Sequence, residues 1–307
     1  MKSIFGIALT MLIGSVVLAQ DFKVLSSQGN NTHKTSKKRI WAGSNLKVSD
    51  AVTVASGGYL GLMHIKTGKT IEIKKSGTYL MSRLVPKAES TSVVAKYGNF
   101  VGEEMVKAEK QDINKNHRKY MAIVGAVSRE RAIGGSTSKP IVFLAQNKEN
   151  IFNPQITISW LADEENPKVK YHILVSNLDN EQVAWYETEQ NNISIDFSNL
   201  KRARDGEPNF IVNIINSKDT NQKGSVSITW IGKNEYNKIQ EEIGDFKPEN
   251  ALDYMLLAKF FEEKKLNLDA LACYQKALDL QNSDNYKTAY MEFLVRNQMG
   301  YTYADGN

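Results

Sequence analysis

The chain has 307 residues, a length that allows two or three domains. With 41% hydrophobic and 24% charged residues, 20 glycines and 6 prolines, it is neither collagen-like nor of low complexity. The net charge of +5 is unevenly spread: residues 20–140 hold 21 Lys+Arg against 9 Asp+Glu, and residues 141–307 hold 17 against 25. One cysteine, Cys273, excludes a disulfide framework and Cys-built clusters. The four histidines, His33, His64, His117 and His172, are scattered. Neither a metal nor a cofactor is expected.

Residues 1–19 read as a signal peptide. Lys2 precedes the apolar or small stretch Ile4 to Leu18, and Val17-Leu18-Ala19 has the small-x-small form of a cleavage site. The mature chain is expected to begin near Gln20, in the periplasm or at the cell surface. No later apolar run approaches the roughly 18 residues of a membrane span, so no transmembrane anchor is expected after cleavage.

Residues 20–88 read as short strands separated by turns. Phe22 to Leu25, Ala51 to Ala55, Tyr59 to Ile65 and Thr70 to Ile73 are rich in apolar and β-branched residues. Gly57-Gly58 and Gly68 stand where tight turns need positive φ. Gly68-Lys69-Thr70 is not a phosphate loop, because Met63 occupies the place of the earlier glycine and no helix follows. Trp41-Ala-Gly-Ser-Asn-Leu, Asp50-Ala-Val-Thr-Val, Gly57-Gly-Tyr-Leu-Gly-Leu, Gly68-Lys-Thr-Ile-Glu-Ile and Gly77-Thr-Tyr follow in an order that resembles the small β domain of FecR-like periplasmic proteins. The resemblance covers about 60 residues and implies a compact, non-catalytic β module.

Residues 89–119 read as a connecting helix and linker. Val93, Val94, Tyr97, Phe100, Val101, Met105 and Val106 recur at helical spacing, interrupted by Gly98 and Gly102.

Residues 120–232 read as an immunoglobulin-like or fibronectin-like β-sandwich. The apolar runs Met121–Val127 and Ile141–Leu144 precede alternating runs at Ile156–Trp160, Val169–Val175, Val183–Trp185, Ile193–Phe197, Phe210–Ile214 and Val226–Trp230. Trp160, Trp185 and Trp230 are expected in its core, where tryptophan contributes large burial. His172, in phase with Lys170, is expected at the surface.

Residues 233–307 read as helical. Tyr236–Ile243 is one expected helix, and residues 284–299 form a capping helix. Between them Tyr254, Leu257, Ala258, Phe261, Ala270, Tyr274 and Ala277 fill seven core offsets of a 34-residue unit starting at Ala251. That pattern resembles a tetratricopeptide repeat (TPR). The resemblance implies a concave partner-binding face that includes Met255, Lys259 and Glu262. Asp269 or Asn267 is the expected cap of the second helix. A lone repeat is expected to lean on the sandwich or on another chain.

No catalytic constellation emerges. Ser136-Thr-Ser-Lys139 matches a serine-acylase string but lies in a loop beside Gly134-Gly135, and its companion motifs are misplaced. Glu103-Glu104 and Asp163-Glu164-Glu165 read as solvated faces. The expected function is therefore a non-enzymatic scaffold or adaptor for an envelope protein partner. The alternative is a module binding an anionic envelope polymer, polysaccharide or peptidoglycan, through the basic N-terminal half. Nucleic acid is not expected, since the run Lys34, Lys37, Lys38, Arg39 lacks interleaved aromatic platforms. The order of β module, sandwich and helical tail also looks like envelope proteins of Bacteroidetes-type bacteria.

Overall fold

The computed structural model describes residues 21–86, 92–110, 141–161, 169–200 and 208–300. Residues 1–19, read as a signal peptide, residues 111–119, read as a linker, the run Met121–Val127, Ser136–Lys139 and Asp163–Glu165 lie outside the described residues. The first two thirds of the described chain are mainly β, and the last part is helical.

Two sheets form the N-terminal unit. One has the order β3–β1–β5–β6, from β1 (Phe22–Gln28), β3 (Asn45–Leu46), β5 (Tyr59–His64) and β6 (Thr70–Ile73). The other has the order β2–β4–β7, from β2 (Thr32–His33), β4 (Ala51–Val54) and β7 (Gly77–Leu80). Phe22, Val24, Leu46, Val52, Val54, Leu60, Leu62 and Ile73 fill the space between them. Gly57 and Gly68 take positive φ, as turns of that tightness require. Buried Asn31 ties the unit together: its Nδ2 donates to the carbonyls of Gln28 and Tyr59, and its Oδ1 accepts from Ala55 N–H.

β1 and β5 are buried on both faces, which the alternation of a half-buried strand does not anticipate. The reason is α1 (Ser92–Lys110), which lies on the outer side of that sheet. Val93, Tyr97, Val101 and Met105, spaced by four, join Leu25, Tyr59 and Met63 in a second, larger core. The two helix glycines permit the approach. A Cβ at Gly98 would overlap Met63 Sδ, and one at Gly102 would press on Leu25.

The middle unit is a sandwich. β8 (Lys148–Ile151), β10 (Tyr171–Ser176), β11 (Gln182–Thr188), β13 (Asn209–Asn216) and β14 (Lys223–Trp230) form a sheet in the order β11–β10–β13–β14–β8. β9 (Gln155–Ser159) pairs with β12 (Asn192–Asp196) in the facing sheet, extended by a bridge from Phe143 to Trp160. All pairs are antiparallel except β8 with β14. The chain crosses between the two sheets before and after β9 and before and after β12, whereas β10–β11 and β13–β14 are hairpins within the larger sheet. β13 alternates without exception, Phe210, Val212 and Ile214 pointing inward. β8 escapes sequence reading because Glu149 occupies an inward position.

Among the described residues, four helices follow the sandwich: α2 (Lys233–Ile243), α3 (Ala251–Glu263), α4 (Asn267–Leu280) and α5 (Asp284–Arg296). Ala258, Ala270 and Ala277 are fully buried where α3 and α4 meet, with Phe261 and Tyr274 beside them; Tyr254 and Leu257 are partly buried. Asn250 caps α3, its Oδ1 accepting from Asp253 N–H. Neither Asn267 nor Asp269 caps α4: the cap position falls at Leu266, and Asp269 is engaged elsewhere.

Candidate functional site

The helical face proposed for partner binding is occupied by the chain itself. Met255 is 2% exposed and Glu262 6%. Phe100 of α1 lies under Lys259, with Nζ 3.9 Å from its ring centroid, and Tyr97 meets Phe260 edge-on. Lys96 pairs with Glu263 at 2.9 Å. Glu262 accepts from Arg296 Nε at 3.0 Å and Nη2 at 3.2 Å, from Asn297 at 3.0 Å and from the Tyr274 hydroxyl at 3.3 Å. Arg296 also reaches Glu104 of α1 at 3.0 Å. Burial alone would raise the Glu262 carboxyl, but the donors of Arg296 and Asn297, with Lys259 nearby, hold it below the usual range. These positions bind α1 and α5 to the helical pair.

The same helices hold both β units through buried polar joints. On the sandwich side, Asp269 accepts from Phe152 N–H at 2.8 Å, Asn153 N–H at 2.9 Å and Asn153 Nδ2 at 2.6 Å. Beside it Glu149 accepts from Gln146 N–H and from Asn267 Nδ2. Burial pushes the Glu149 carboxyl up to about 7 and Asp269 to about 6, although the N–H donors pull the other way. Phe152 stacks on Tyr236 of α2, ring centroids 4.7 Å apart. On the N-terminal side, the Tyr59 hydroxyl donates to Glu72 at 2.8 Å and meets the Tyr286 hydroxyl at 2.9 Å. Leu252 N–H donates to Glu72, and Thr70 donates to Asp253.

What the fold leaves outward is different. Trp185 is 49% exposed, against the core position expected for it; Trp160 is buried and Trp230 partly so. Trp185 stands opposite Leu174, with the His172 ring 5.7 Å away and half-buried Ile211 and Ile215 further across the face. His172 is partly exposed and lies 3.1 Å from Glu187, which also pairs with Lys170. The signal was present in the alternation. Trp185 shares its phase with Glu187, whereas Ala184 and Tyr186 share the inward one. A bulge at Val183 ends the regular ladder of β11 and blunts this edge against strand addition.

A second outward feature is the turn after β2. Lys34, Lys37, Lys38 and Arg39 are all exposed, and Trp41 is 48% exposed. The Arg39 guanidinium lies 3.8 Å above the Trp41 ring centroid.

Among the described residues, no cluster of three or more His, Cys, Asp or Glu could hold a metal ion, and no helix is long and apolar enough to cross a membrane. Cys273 is buried, which pushes its thiol well up and leaves it unreactive. No family model matches the chain, and no curated protein matches it.

Proposed function

We propose that this protein is an exported, non-enzymatic scaffold that holds a protein partner in the periplasm or at the cell envelope, built from a FecR-like β module, an immunoglobulin-like sandwich and a TPR-like tail. One observation carries the reading. The helical region, the part that most resembles a partner-binding module, is spent on joining the other parts: Phe100 of α1 lies under Lys259, Arg296 of α5 holds Glu262, and Asp269 and Glu72 fasten the two β units. A partner therefore meets the outer surfaces of the β units rather than a helical groove. The half-apolar sheet face around Trp185 is the surface to probe.

The test is cross-linking of the whole chain in its native envelope, with mass spectrometry of the adducts. Removing the helices would uncover both joints, so surface variants are the sound comparison. A defined protein adduct that is lost in Leu174→Lys/Ile211→Lys, with the fold retained, supports the scaffold. Absence of any defined protein adduct from the native chain defeats it.

A further inference from the structure

We propose that the turn from His33 to Trp41 is a binding site for an anionic glycan, with Lys34, Lys37, Lys38 and Arg39 engaging its acidic groups and Trp41 supplying a stacking surface. This inference stands apart from the scaffold reading and on different residues.

The turn is firmly held. Thr32 bridges Arg39 across it, His33 N–H donates to the Lys38 carbonyl at 2.9 Å, and Lys37 N–H donates to the His33 carbonyl at 3.0 Å. Its two roots are buried at Asn31 and Ile40, and Ile40 N–H closes on the Asn31 carbonyl. Four cations within six positions are thus displayed on a fixed frame rather than on a loose tail. Among the described residues none of the four forms an ion pair, although other cations of the same unit do, as Lys74 does with Glu72. Uncompensated like charges held this close repel one another, and an anion relieves the repulsion.

Two details point to a ligand rather than to a merely solvated turn. Lys37 sits at φ 57°, in the left-handed region that glycine or asparagine occupies at least cost. A lysine there adds a cation at the expense of local strain. The second detail is the stacked pair. Arg39 Nη2 donates to the Gly29 carbonyl, which fixes the guanidinium over one side of Trp41. A half-exposed indole beside fixed cations suits a sugar ring bearing a carboxylate, phosphate or sulfate: the ring face stacks while its acid pairs. A single aromatic offers one stacking step, too few to track the successive bases of a nucleic-acid strand.

The experiment is retention of the whole chain on polygalacturonate, dextran sulfate and neutral dextran, measured across a salt series. Binding to the two acidic polymers and not to neutral dextran is expected. Lys34→Gln/Lys37→Gln/Lys38→Gln should lower the slope of log affinity against log salt by about two to three, since each contacting cation releases about one counterion. Lys47→Gln/Lys66→Gln/Lys69→Gln removes the same charge elsewhere in the basic half and should change the slope by less than one. Trp41→Ala should weaken binding several-fold at unchanged slope. Lys37→Gly should raise the melting temperature while weakening retention. Equal losses from the two triple variants would overturn the site in favour of diffuse steering. Single-stranded DNA binding more tightly than both polymers, or no retention on either, would also overturn it.

Discussion

Two surfaces exchange roles between the amino-acid pattern and the folded chain. The Met255–Lys259–Glu262 face has the residue spacing of an open, partner-binding helical groove, yet it is closed by α1 together with Arg296 of α5. The Trp185 face has the residues of a sandwich core, yet it is turned outward. The difference teaches that helical or strand periodicity says which side of an element is apolar, not what covers it. Four helices with only one full repeat pattern must bury their apolar sides somewhere, and the chain supplies α1 and both β units. The five-stranded sheet has one covered face, so whichever tryptophan falls on the other phase is left outside.

The largest effect is expected from cutting the clamp that closes the helical face. Arg296→Met leaves Glu262 and Glu104 without their guanidinium in a water-poor site. Because Arg296 is one-third exposed, the cost is set below that of a fully buried pair, at about 2–4 kcal/mol. Urea unfolding measures it. A loss under about 1 kcal/mol would mean that the face is not held shut by this cluster.

The joint to the sandwich is expected to be the pH-sensitive part. The folded Glu149 keeps its proton to about pH 7, whereas the unfolded side chain releases it near its ordinary value. Between those values the folded state binds the extra proton, so stability falls as pH rises from about 4.5 to 7, by about 2–3 kcal/mol. Glu149→Gln should shrink that decline to the part that Asp269, itself raised to about 6, contributes at the lower end of the range. An identical decline in the variant, followed by thermal unfolding at pH 5 and pH 8, would remove Glu149 as its source.

Asp269 separates a helix cap from an interdomain acceptor. Asp269→Ala strips the partner from two backbone N–H groups and one side-chain amide, at about 1–3 kcal/mol, whereas Asp269→Asn retains an acceptor and should cost less. Equal costs would argue for a charge effect instead. The smallest stability change is expected at Trp185→Ser, within about 1 kcal/mol because the ring is half exposed. A much larger loss of melting temperature would show that the ring is buried after all.

Much of the architecture was legible from local chemistry. Strict alternation identifies β13, Gly57 marks the turn between the two N-terminal sheets and Gly68 the β5–β6 hairpin, and the seven repeat offsets place α3 against α4. Those features depend on neighbours within one or two elements. What escaped depends on distant partners. Asp269 looks like a cap because its true donors, Phe152 and Asn153, lie more than 100 positions earlier. Gly98 and Gly102 look like helix weakeners until Met63 and Leu25 are placed against them. β8 is hidden because an inward glutamate breaks its apolar pattern, and that glutamate is satisfied by Gln146 N–H and by Asn267 of the distant α4. The outward turn at Lys34–Trp41 was legible as charge, but the stacking of Arg39 on Trp41 was not.

Hydroxyl-radical footprinting of the whole chain distinguishes a closed helical face from an open one, since methionine and tryptophan both report on their own exposure. In dilute purified protein, Trp185 and Trp41 should be oxidised rapidly and Met255 slowly, and in native envelope Trp185 should become protected. Rapid oxidation of Met255 in the purified chain, or its protection appearing only in the envelope, would show that the helical face is open to a partner and would contradict the account.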